Sequence, residues 1–513
     1  MKKRHLLALL VVIISYSQLF SQAKSSLPRS TPEEQGISAT VITTFLDSIA
    51  KSKHEFQSFM LVRHGKVIAE GWWNPYGPNL SHTLYSLSKS FTATAVGFAK
   101  AEGKLALTDK VISFFPDKLP DTVSAYLKQL TVKDLLTMSV GQEPDPTFNA
   151  TQTKDWVKTF LALPIKYEPG SRFLYNSMAT YMCSAIVQKA TGQKVFDYLQ
   201  PRLFEPLGIS GIDWETDGNG VNTGGWGLRL KTEDIAKFAQ LFLQKGEWNG
   251  KQLLPKGWAE EASTAHIIQH PQYSQAKRDS SDWEQGYGYQ MWRCRHNGFR
   301  GDGAFGQYAI VFPEVDAVIA ITSETQDMQG ELNLIYNILL PAFQKGALKA
   351  DKNADAVLSK KLASLSLPAK KETLKASVIA GKTFTFDSNL LNFKSISFDV
   401  KDGKYVVGID AGSENYSFKL APNSWEPGET KLAGPYLLMS ATNNLKGLPP
   451  FKVSSEYTWI DANTLEMILR YTESPHTRKI TCKFDGDKVA VVVTRSIYPD
   501  MEGGTVNITG TKK

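Results

Sequence analysis

Cysteine is scarce in this chain: three residues, Cys183, Cys294 and Cys482, occur among 513. An exported protein could pair two of them, but their wide spacing does not say which, and an odd number leaves at least one unpaired. Cys183 lies on a predicted apolar helix and Cys482 in a strand pattern, so both are expected to be buried small residues. Neither Cys/His pairs at zinc spacing nor a His-Glu-x-x-His motif occurs, so no metal site is expected.

Basic residues only slightly outnumber acidic residues. The 58 basic and 51 acidic residues leave a formal net charge of +7, and charged residues make up 21% of the chain. No block of Lys and Arg is interleaved with aromatic residues, which excludes an obvious nucleic-acid partner. With 42% hydrophobic residues, the composition is that of an ordinary globular protein with two or three domains.

The N-terminus has the pattern of a secretory signal peptide, predicted over residues 1–22. A basic start, Lys2-Lys3-Arg4, precedes an apolar run at residues 6–14 and small residues near a plausible cleavage point. The apolar run is too short for a comfortable membrane span, although an uncleaved anchor is the alternative. The mature protein is therefore expected without a membrane span, exported to a bacterial periplasm or secreted.

The Gly-x-Ser-x-Gly motif of Ser-His-Asp hydrolases is absent, and His82 is interpreted as a loop residue. Instead Ser86-Leu87-Ser88-Lys89 opens a predicted helix of small and apolar residues. A serine and a lysine three apart share one helix face. A lysine partly removed from water can lose its proton near neutral pH and activate the serine as a nucleophile. Three further pairs with this spacing lie in the targeting segment or in polar runs: Ser21–Lys24, Ser48–Lys51 and Ser274–Lys277.

Strand patterns lie near both ends of residues 23–348, and helical patterns fill the middle. This order predicts one α/β (α+β) domain, an antiparallel sheet of first and last strands with an inserted helical half. Residues 349–375 are rich in Ala, Lys and Ser and predict a linker with one short helix at most. About eight short strands follow within residues 376–513, which predicts an antiparallel barrel or sandwich.

Several segments, in order, resemble the serine beta-lactamase-like superfamily in its class C beta-lactamase, esterase and DD-peptidase branch. The resemblance covers roughly Leu27 to Lys345. Its segments are Ser86-Leu87-Ser88-Lys89, Glu102 to Val111, Leu130 to Met138, Pro169-Gly170-Ser171-Arg172-Phe173-Leu174-Tyr175, Gly224 to Arg229 and Gly303-Ala304-Phe305-Gly306-Gln307.

The resemblance implies a role for each matching residue. Ser86 would be the acylated nucleophile, and Lys89 and Tyr175 would share the general-base and general-acid work. Backbone N–H groups of Ser86 and of Ala304, which follows Gly303, would form the oxyanion hole. Neither a metal nor an organic cofactor is implied.

Two departures from the family pattern bear on the substrate. The family's Tyr-x-Asn is Tyr175-Asn176-Ser177 here, so Ser177 takes the asparagine position, or Asn176 swings in. The Lys-Thr-Gly or His-x-Gly motif is Gly301-Asp302-Gly303, which lacks the cation that attracts a substrate carboxylate. Asp302 and Gly303 would border the substrate, and Asp302 would repel a carboxylate unless Arg300, on the same strand face, offsets it.

These departures predict an esterase or an amidase that acts on a small-molecule ester, amide or peptide, rather than a true beta-lactamase. Amides with a distal amine that Asp302 could pair with would fit. The alternatives are a DD-peptidase or beta-lactamase, and a non-catalytic sensor of cell-wall fragments that resembles penicillin-binding proteins. Three roles stay open for the β domain: shaping the cleft mouth, contact with cell-wall glycan, or assembly.

Overall fold

A six-stranded antiparallel sheet organises the first part of the molecule. The computed structural model describes residues 26–369, 379–438 and 450–513, so the predicted signal peptide lies outside the described residues. The sheet order is β2-β1-β6-β5-β4-β3. Its strands are β1 (Glu55–Arg63), β2 (Lys66–Trp72), β3 (Trp292–Arg293), β4 (Phe299–Gly303), β5 (Gln307–Phe312) and β6 (Ala317–Glu324).

Strand β1 shows how the sheet separates two apolar layers. Successive side chains of a strand point to opposite faces. Phe59 and Leu61 pack in one core with the helix that precedes the strand, whereas Met60 and Val62 pack in the core of the helical half. Both faces are covered, which explains why β1 is buried along nearly its whole length. The first and last strands are neighbours, as the sequence predicts.

Helices flank the sheet and fill the inserted half. The longer ones are α1 (Ala39–Lys51), α2 (Ser88–Ala101), α3 (Thr232–Leu243) and α4 (Lys352–Ala363), and a fifth, Ser177–Thr191, packs against α2. Shorter helices are Ala125–Gln129, Val132–Leu136, Thr147–Thr151, Trp156–Ala162, Val195–Leu199, Trp258–Ser263, Gln275–Asp279 and Met328–Leu334. Two-to-three-residue strands occur at His82–Thr83, Asp213–Trp214, Leu228–Leu230, Glu247–Trp248 and Lys251–Gln252.

The segment predicted as a linker holds helix α4, which packs on the sheet domain. Leu358 is buried there, and Lys361 forms an ion pair with Asp47 of α1. The backbone carbonyl of Leu367 accepts a hydrogen bond from the Trp425 indole at 3.1 Å. The described part of this segment therefore lies against both domains.

The C-terminal domain is a closed barrel of nine strands, which decides between the two architectures predicted. The strands of the whole domain, of which all but β11 form the barrel, are β7 (Lys382–Phe386), β8 (Ser395–Lys401), β9 (Lys404–Asp410), β10 (Asn415–Pro422), β11 (Glu426–Thr430), β12 (Phe451–Asp461), β13 (Thr464–Tyr471), β14 (Thr477–Asp485), β15 (Lys488–Arg495) and β16 (Thr505–Lys512). The closed order is β10-β9-β8-β7-β16-β15-β14-β13-β12, and a parallel pairing of β10 with β12 completes it. Strand β11 pairs with β12 outside this ring.

The fold class predicted from the sequence is thus confirmed: an α+β domain followed by an antiparallel barrel. Two strands of the C-terminal domain were not predicted from the sequence, namely Glu426–Thr430 outside the barrel and Thr505–Lys512 within it. Cys183, Cys294 and Cys482 are all buried and unpaired, so the burial expected for Cys183 and Cys482 is confirmed.

The turn between β13 and β14 anchors the barrel to the sheet domain. The Pro475 carbonyl of this turn accepts a hydrogen bond from the Gln57 side-chain amide at 2.8 Å, and the Ser474 carbonyl accepts one from the Tyr76 hydroxyl at 3.0 Å. Glu473 of the same turn is ion-paired with a partly buried arginine, Arg229, at 3.1 Å. The barrel therefore meets the sheet domain beside the segment that carries Ser86.

Candidate active site

Ser86 sits in a single helical turn that leads straight into α2. The turn spans Tyr85–Leu87 and α2 begins at Ser88, so Ser86 and Lys89 lie on one face as their spacing predicts. Lys89 Nζ lies 3.0 Å from Ser86 Oγ. The nucleophile and base candidates are thus within direct hydrogen-bonding distance.

Lys89 is nearly inaccessible to solvent, with 1% of its surface exposed. Its Nζ donates to the Gly225 carbonyl at 2.7 Å and lies 3.1 Å from Ser177 Oγ. Burial disfavours the ammonium form and lowers the pKa of Lys89 to about 7, although the carboxylates of Asp145 and Asp302 act in the opposite direction. A neutral amine can donate to Gly225 and Ser177 and still accept the Ser86 proton on its lone pair.

Tyr175 lies beside the lysine with its ring stacked on Trp292. The Lys89 Nζ is 4.9 Å from the Tyr175 ring centre, and the two aromatic rings are 5.6 Å apart at an interplanar angle of 20°. Burial, and then the charge of Asp302, raise the pKa of Tyr175 well above its ordinary value, while a hydrogen bond with Ser86 lowers it. Tyr175 is therefore a protonated phenol at neutral pH.

The residues after Tyr175 have different tasks. Ser177 is the first residue of its helix and points its hydroxyl at Lys89, whereas Asn176 caps that helix. The Asn176 side-chain carbonyl accepts from Ala179 N–H at 3.1 Å, and its amide donates to Gln142 at 3.1 Å. Both ends of the Asn176 amide are thus engaged inside the protein, so Ser177 is the residue of the two that reaches the candidate site.

Strand β4 brings Arg300 and Asp302 to one face, as alternation along a strand predicts. Arg300 Nε donates to Asp302 Oδ2 at 3.0 Å, and both side chains are buried. Burial raises the pKa of Asp302, and the nearby guanidinium lowers it. The repulsion expected between Asp302 and a substrate carboxylate is therefore partly offset by Arg300.

The opposite face of β4 explains the glycines of Gly301-Asp302-Gly303. A Cβ on Gly301 would lie 2.5 Å from the Leu87 side chain and 2.6 Å from the Ser90 side chain, so a lysine there would require both side chains to shift. A Cβ on Gly303 would lie 2.0 Å from the Leu84 carbonyl oxygen. The end of β4, followed by half-buried Ala304, is thus pressed against the residues that precede Ser86.

Gly225 and Asp145 are the site residues that sequence reasoning missed. Gly225 contributes a backbone carbonyl, which carries no side-chain signal, although it lies within the Gly224 to Arg229 segment. Asp145 acts through its charge on Lys89 and Tyr175 from a loop without a motif. His82 is also placed differently from its loop interpretation: it lies buried in a two-residue strand, 2.8 Å from Gln57 Oε1.

The Arg300–Asp302 pair leads to a stability prediction. Arg300→Met is expected to lower the free energy of unfolding by about 3–5 kcal/mol, because it leaves a buried carboxylate without its partner. Lys53→Ala removes an ion pair with Asp327 whose side chains are 73% and 41% exposed, and it is expected to cost less than about 1 kcal/mol. Urea unfolding of both variants measures the difference, and equal losses would contradict the assignment.

No helix among the described residues is both long and apolar enough to cross a membrane. Within the same residues, His, Cys, Asp and Glu side chains nowhere gather in groups of three that could hold a metal ion.

Comparison with known proteins covers mainly the sheet domain. The Beta-lactamase family model matches residues 55–342. A 6-aminohexanoate-dimer hydrolase of Paenarthrobacter ureafaciens is 24% identical over 322 residues, 58% of this chain and 80% of that protein. A protein of Escherichia coli K12 named for D-alanyl-D-alanine carboxypeptidase is 29% identical over 144 residues, 25% of this chain and 33% of its own length. The chain thus spans about a third of the length of this second relative.

Among solved structures, the octameric penicillin-binding protein homologue from Pyrococcus abyssi aligns with 91% of this chain and 99% of its own. Its TM-score is 0.48 and its sequence identity 15%. A 6-aminohexanoate-dimer hydrolase structure from Bacillus anthracis aligns with 61% of this chain and 86% of its own, with a TM-score of 0.48 and 20% identity.

Proposed function

Since the chain belongs to the Beta-lactamase family, whose model matches more than half of it, we propose that it is an exported serine hydrolase that forms an acyl-enzyme on Ser86. The observation that carries the proposal is the contact of Ser86 Oγ with a buried lysine whose pKa is lowered to about 7. The names of its relatives, which include a dimer hydrolase acting on 6-aminohexanoate units, support hydrolysis of a small amide or ester. The proposal of export rests on the pattern of residues 1–22.

The first half of the reaction builds the acyl-enzyme. Neutral Lys89 takes the Ser86 proton as Oγ attacks the substrate carbonyl carbon, and the carbonyl oxygen becomes an oxyanion. Backbone N–H groups of Ser86 and Ala304 stabilise that charge, and preorganised donors of this type contribute roughly 3 kcal/mol each. As the bond to the leaving group breaks, the leaving group takes a proton from the Tyr175 hydroxyl. The Tyr175 oxygen then takes a proton from the Lys89 ammonium.

The second half releases the acyl group. A water gives its proton to neutral Lys89 and attacks the ester carbonyl of the acyl-enzyme, and a second oxyanion forms in the same place. Collapse of this intermediate breaks the bond to Ser86 Oγ, which takes the proton back from the Lys89 ammonium, and the carboxylic acid product leaves. Atoms and protons balance without a co-reactant besides water.

Charge around the site supports a substrate without a carboxylate near the scissile bond. The two carboxylates whose charges act on Lys89 are those of Asp145 and Asp302. Asp302 already has Arg300 as partner, whereas Asp145 accepts hydrogen bonds from the backbone N–H and the hydroxyl of Thr147. We propose that a positively charged amine on the acyl side of the substrate is tolerated or favoured there.

A substrate panel tests the proposed class. Hydrolysis of 6-aminohexanoyl-p-nitroanilide is expected to have a kcat/KM about 3–10-fold above that of hexanoyl-p-nitroanilide, which differs by the amine alone. A p-nitrophenyl butyrate ester should be cleaved faster than a chromogenic cephalosporin. A cephalosporin turned over as readily as the ester would contradict the esterase or amidase assignment, and labelling of Ser86 without turnover would favour a penicillin-binding sensor.

A further inference from the structure

The barrel places one buried imidazole against the segment that carries Ser86. His476 lies in the turn between β13 and β14 and is completely buried. Its Nε2 is 2.5 Å from the Tyr85 hydroxyl, and its Nδ1 is 2.7 Å from a carboxylate oxygen of Glu324 at the end of β6. One side chain of the C-terminal domain thus joins the residue before Ser86 to the central sheet.

The same imidazole also contacts the residue after Ala304. The ring of Phe305 lies 4.8 Å from that of His476 at an interplanar angle of 89°, and it lies 5.6 Å from the Tyr85 ring. An edge-to-face arrangement at this distance is favourable for aromatic rings. His476 therefore packs between the neighbours of the two residues whose N–H groups are proposed to form the oxyanion hole.

Tyr85, which precedes Ser86, and Phe305, which follows Ala304, both have left-handed backbone conformations. The φ angle is +47° at Tyr85 and +69° at Phe305. For bulky residues this conformation costs roughly 1–2 kcal/mol each, and it persists only where the surroundings hold it. At both positions the side chain contacts His476, so loss of the imidazole removes one contact that holds each of them.

The hydrogen bonds at His476 form a consistent chain. Glu324 accepts from Ser496 Oγ at 2.6 Å and from His476 Nδ1–H, since a carboxylate is an acceptor. With the proton on Nδ1, the Nε2 atom accepts from the Tyr85 hydroxyl. The Tyr85 oxygen in turn accepts from the backbone N–H of Leu437. In this arrangement each donor in the chain faces an acceptor.

We propose that His476 is a positioning residue supplied by the barrel, which holds the Ser86 and Ala304 backbone N–H groups at the spacing the oxyanion requires. The proposal rests on the function proposed above, since it assigns His476 to the same site. His476 touches neither the substrate nor the reacting atoms. It acts through Tyr85 and Phe305, so the barrel is needed for the rate of the reaction and not for substrate binding.

The test compares kcat and KM for p-nitrophenyl butyrate among variants of the full chain. Tyr85→Phe and His476→Ala are expected to lower kcat by about 10–100-fold, because small displacements of oxyanion donors are costly, with KM within about threefold of the parent. His476→Gln, which keeps an acceptor for the Tyr85 hydroxyl, should recover part of kcat. Melting temperatures are recorded for each variant.

The matched control is Tyr76→Phe. Its hydroxyl also donates across the domain interface to the same turn, to the Ser474 carbonyl at 3.0 Å, but it contacts neither Tyr85 nor Phe305. It should keep the parent kcat. If Tyr85→Phe and His476→Gln lower kcat no more than Tyr76→Phe does, or raise KM at unchanged kcat, the positioning role is wrong.

Failure of the underlying function gives a different result. If Ser86→Ala keeps the parent activity, the proposed acyl-enzyme is wrong whatever the His476 variants do. If Ser86 is required while Tyr85→Phe and His476→Gln keep the parent kcat, the proposed function is retained and the positioning role of His476 is wrong. Should His476→Ala not fold, the Tyr85→Phe and His476→Gln pair decides alone.

Discussion

Replacement of Ser86 by alanine is expected to lower kcat for p-nitrophenyl butyrate by at least about 10³-fold and to abolish acylation. The reason is that the Ser86 hydroxyl, 3.0 Å from Lys89 Nζ, is the protein group that bonds to the acyl carbon in the proposed mechanism. Intact-mass measurement after rapid quenching should show the acyl adduct on the parent protein and none on the variant.

A second Ser-x-x-Lys pair supplies the control for this prediction. Ser48 and Lys51 have the same spacing on α1, but Lys51 is exposed and Ser48 Oγ donates to the Thr44 carbonyl at 2.9 Å. Ser48→Ala should therefore retain full activity and the full adduct mass. An adduct of undiminished yield on Ser86→Ala would contradict the assignment of the nucleophile.

The pH dependence of kcat/KM should report the state of Lys89. Burial lowers its pKa from 10.5 to about 7, and only the neutral amine can accept the Ser86 proton. The rate should consequently rise with pH through about 7 and level off above about 8, since the protonated fraction falls by tenfold for each further unit. Initial rates from pH 5.5 to 9, corrected for spontaneous hydrolysis, measure the profile.

Lys89→Met should remove this rise and lower kcat/KM by about 10²–10⁴-fold, the contribution typical of a general base. Lys51→Met removes an exposed lysine of the same spacing and should leave both the rate and its profile unchanged. A parent profile that is flat or falls between pH 6 and 8 would rule Lys89 out as the base.

Site residues that lie close together along the chain could be predicted from the sequence. Ser86 and Lys89 are three positions apart on one helical turn, so periodicity alone brings them together. The shared face of Arg300 and Asp302 follows from alternation along a strand, and the structure adds that the two are in contact. The family resemblance itself is confirmed by the Beta-lactamase model over residues 55–342.

Backbone and long-range contributions could not be predicted in the same way. The Gly225 carbonyl has no side chain to mark it, and the contact of Tyr85 with His476 joins residues 391 positions apart. Whether Asn176 or Ser177 faces Lys89 depends on the residue at which a helix begins, which patterns locate only within a few residues.

The barrel illustrates a different limit. Alternating apolar residues predict strands, but the choice between barrel and sandwich depends on a parallel pairing of two residues on β10 with two on β12. Strand β11 contains Pro427 and Gly428 and is largely exposed, so it lacks the pattern of a buried strand. Closure is a property of register between strands, which no single segment encodes.

The neighbouring first and last strands of the sheet also bear on how the protein is made. Ser58 and Thr322, whose hydroxyls are 2.6 Å apart, are separated by 264 positions along the chain. The central strand pair cannot form until nearly two thirds of the polypeptide has been synthesised, and contacts of such long range form slowly. Delayed closure keeps a nascent chain unfolded for longer, which is the state that the proposed export through a membrane channel would require.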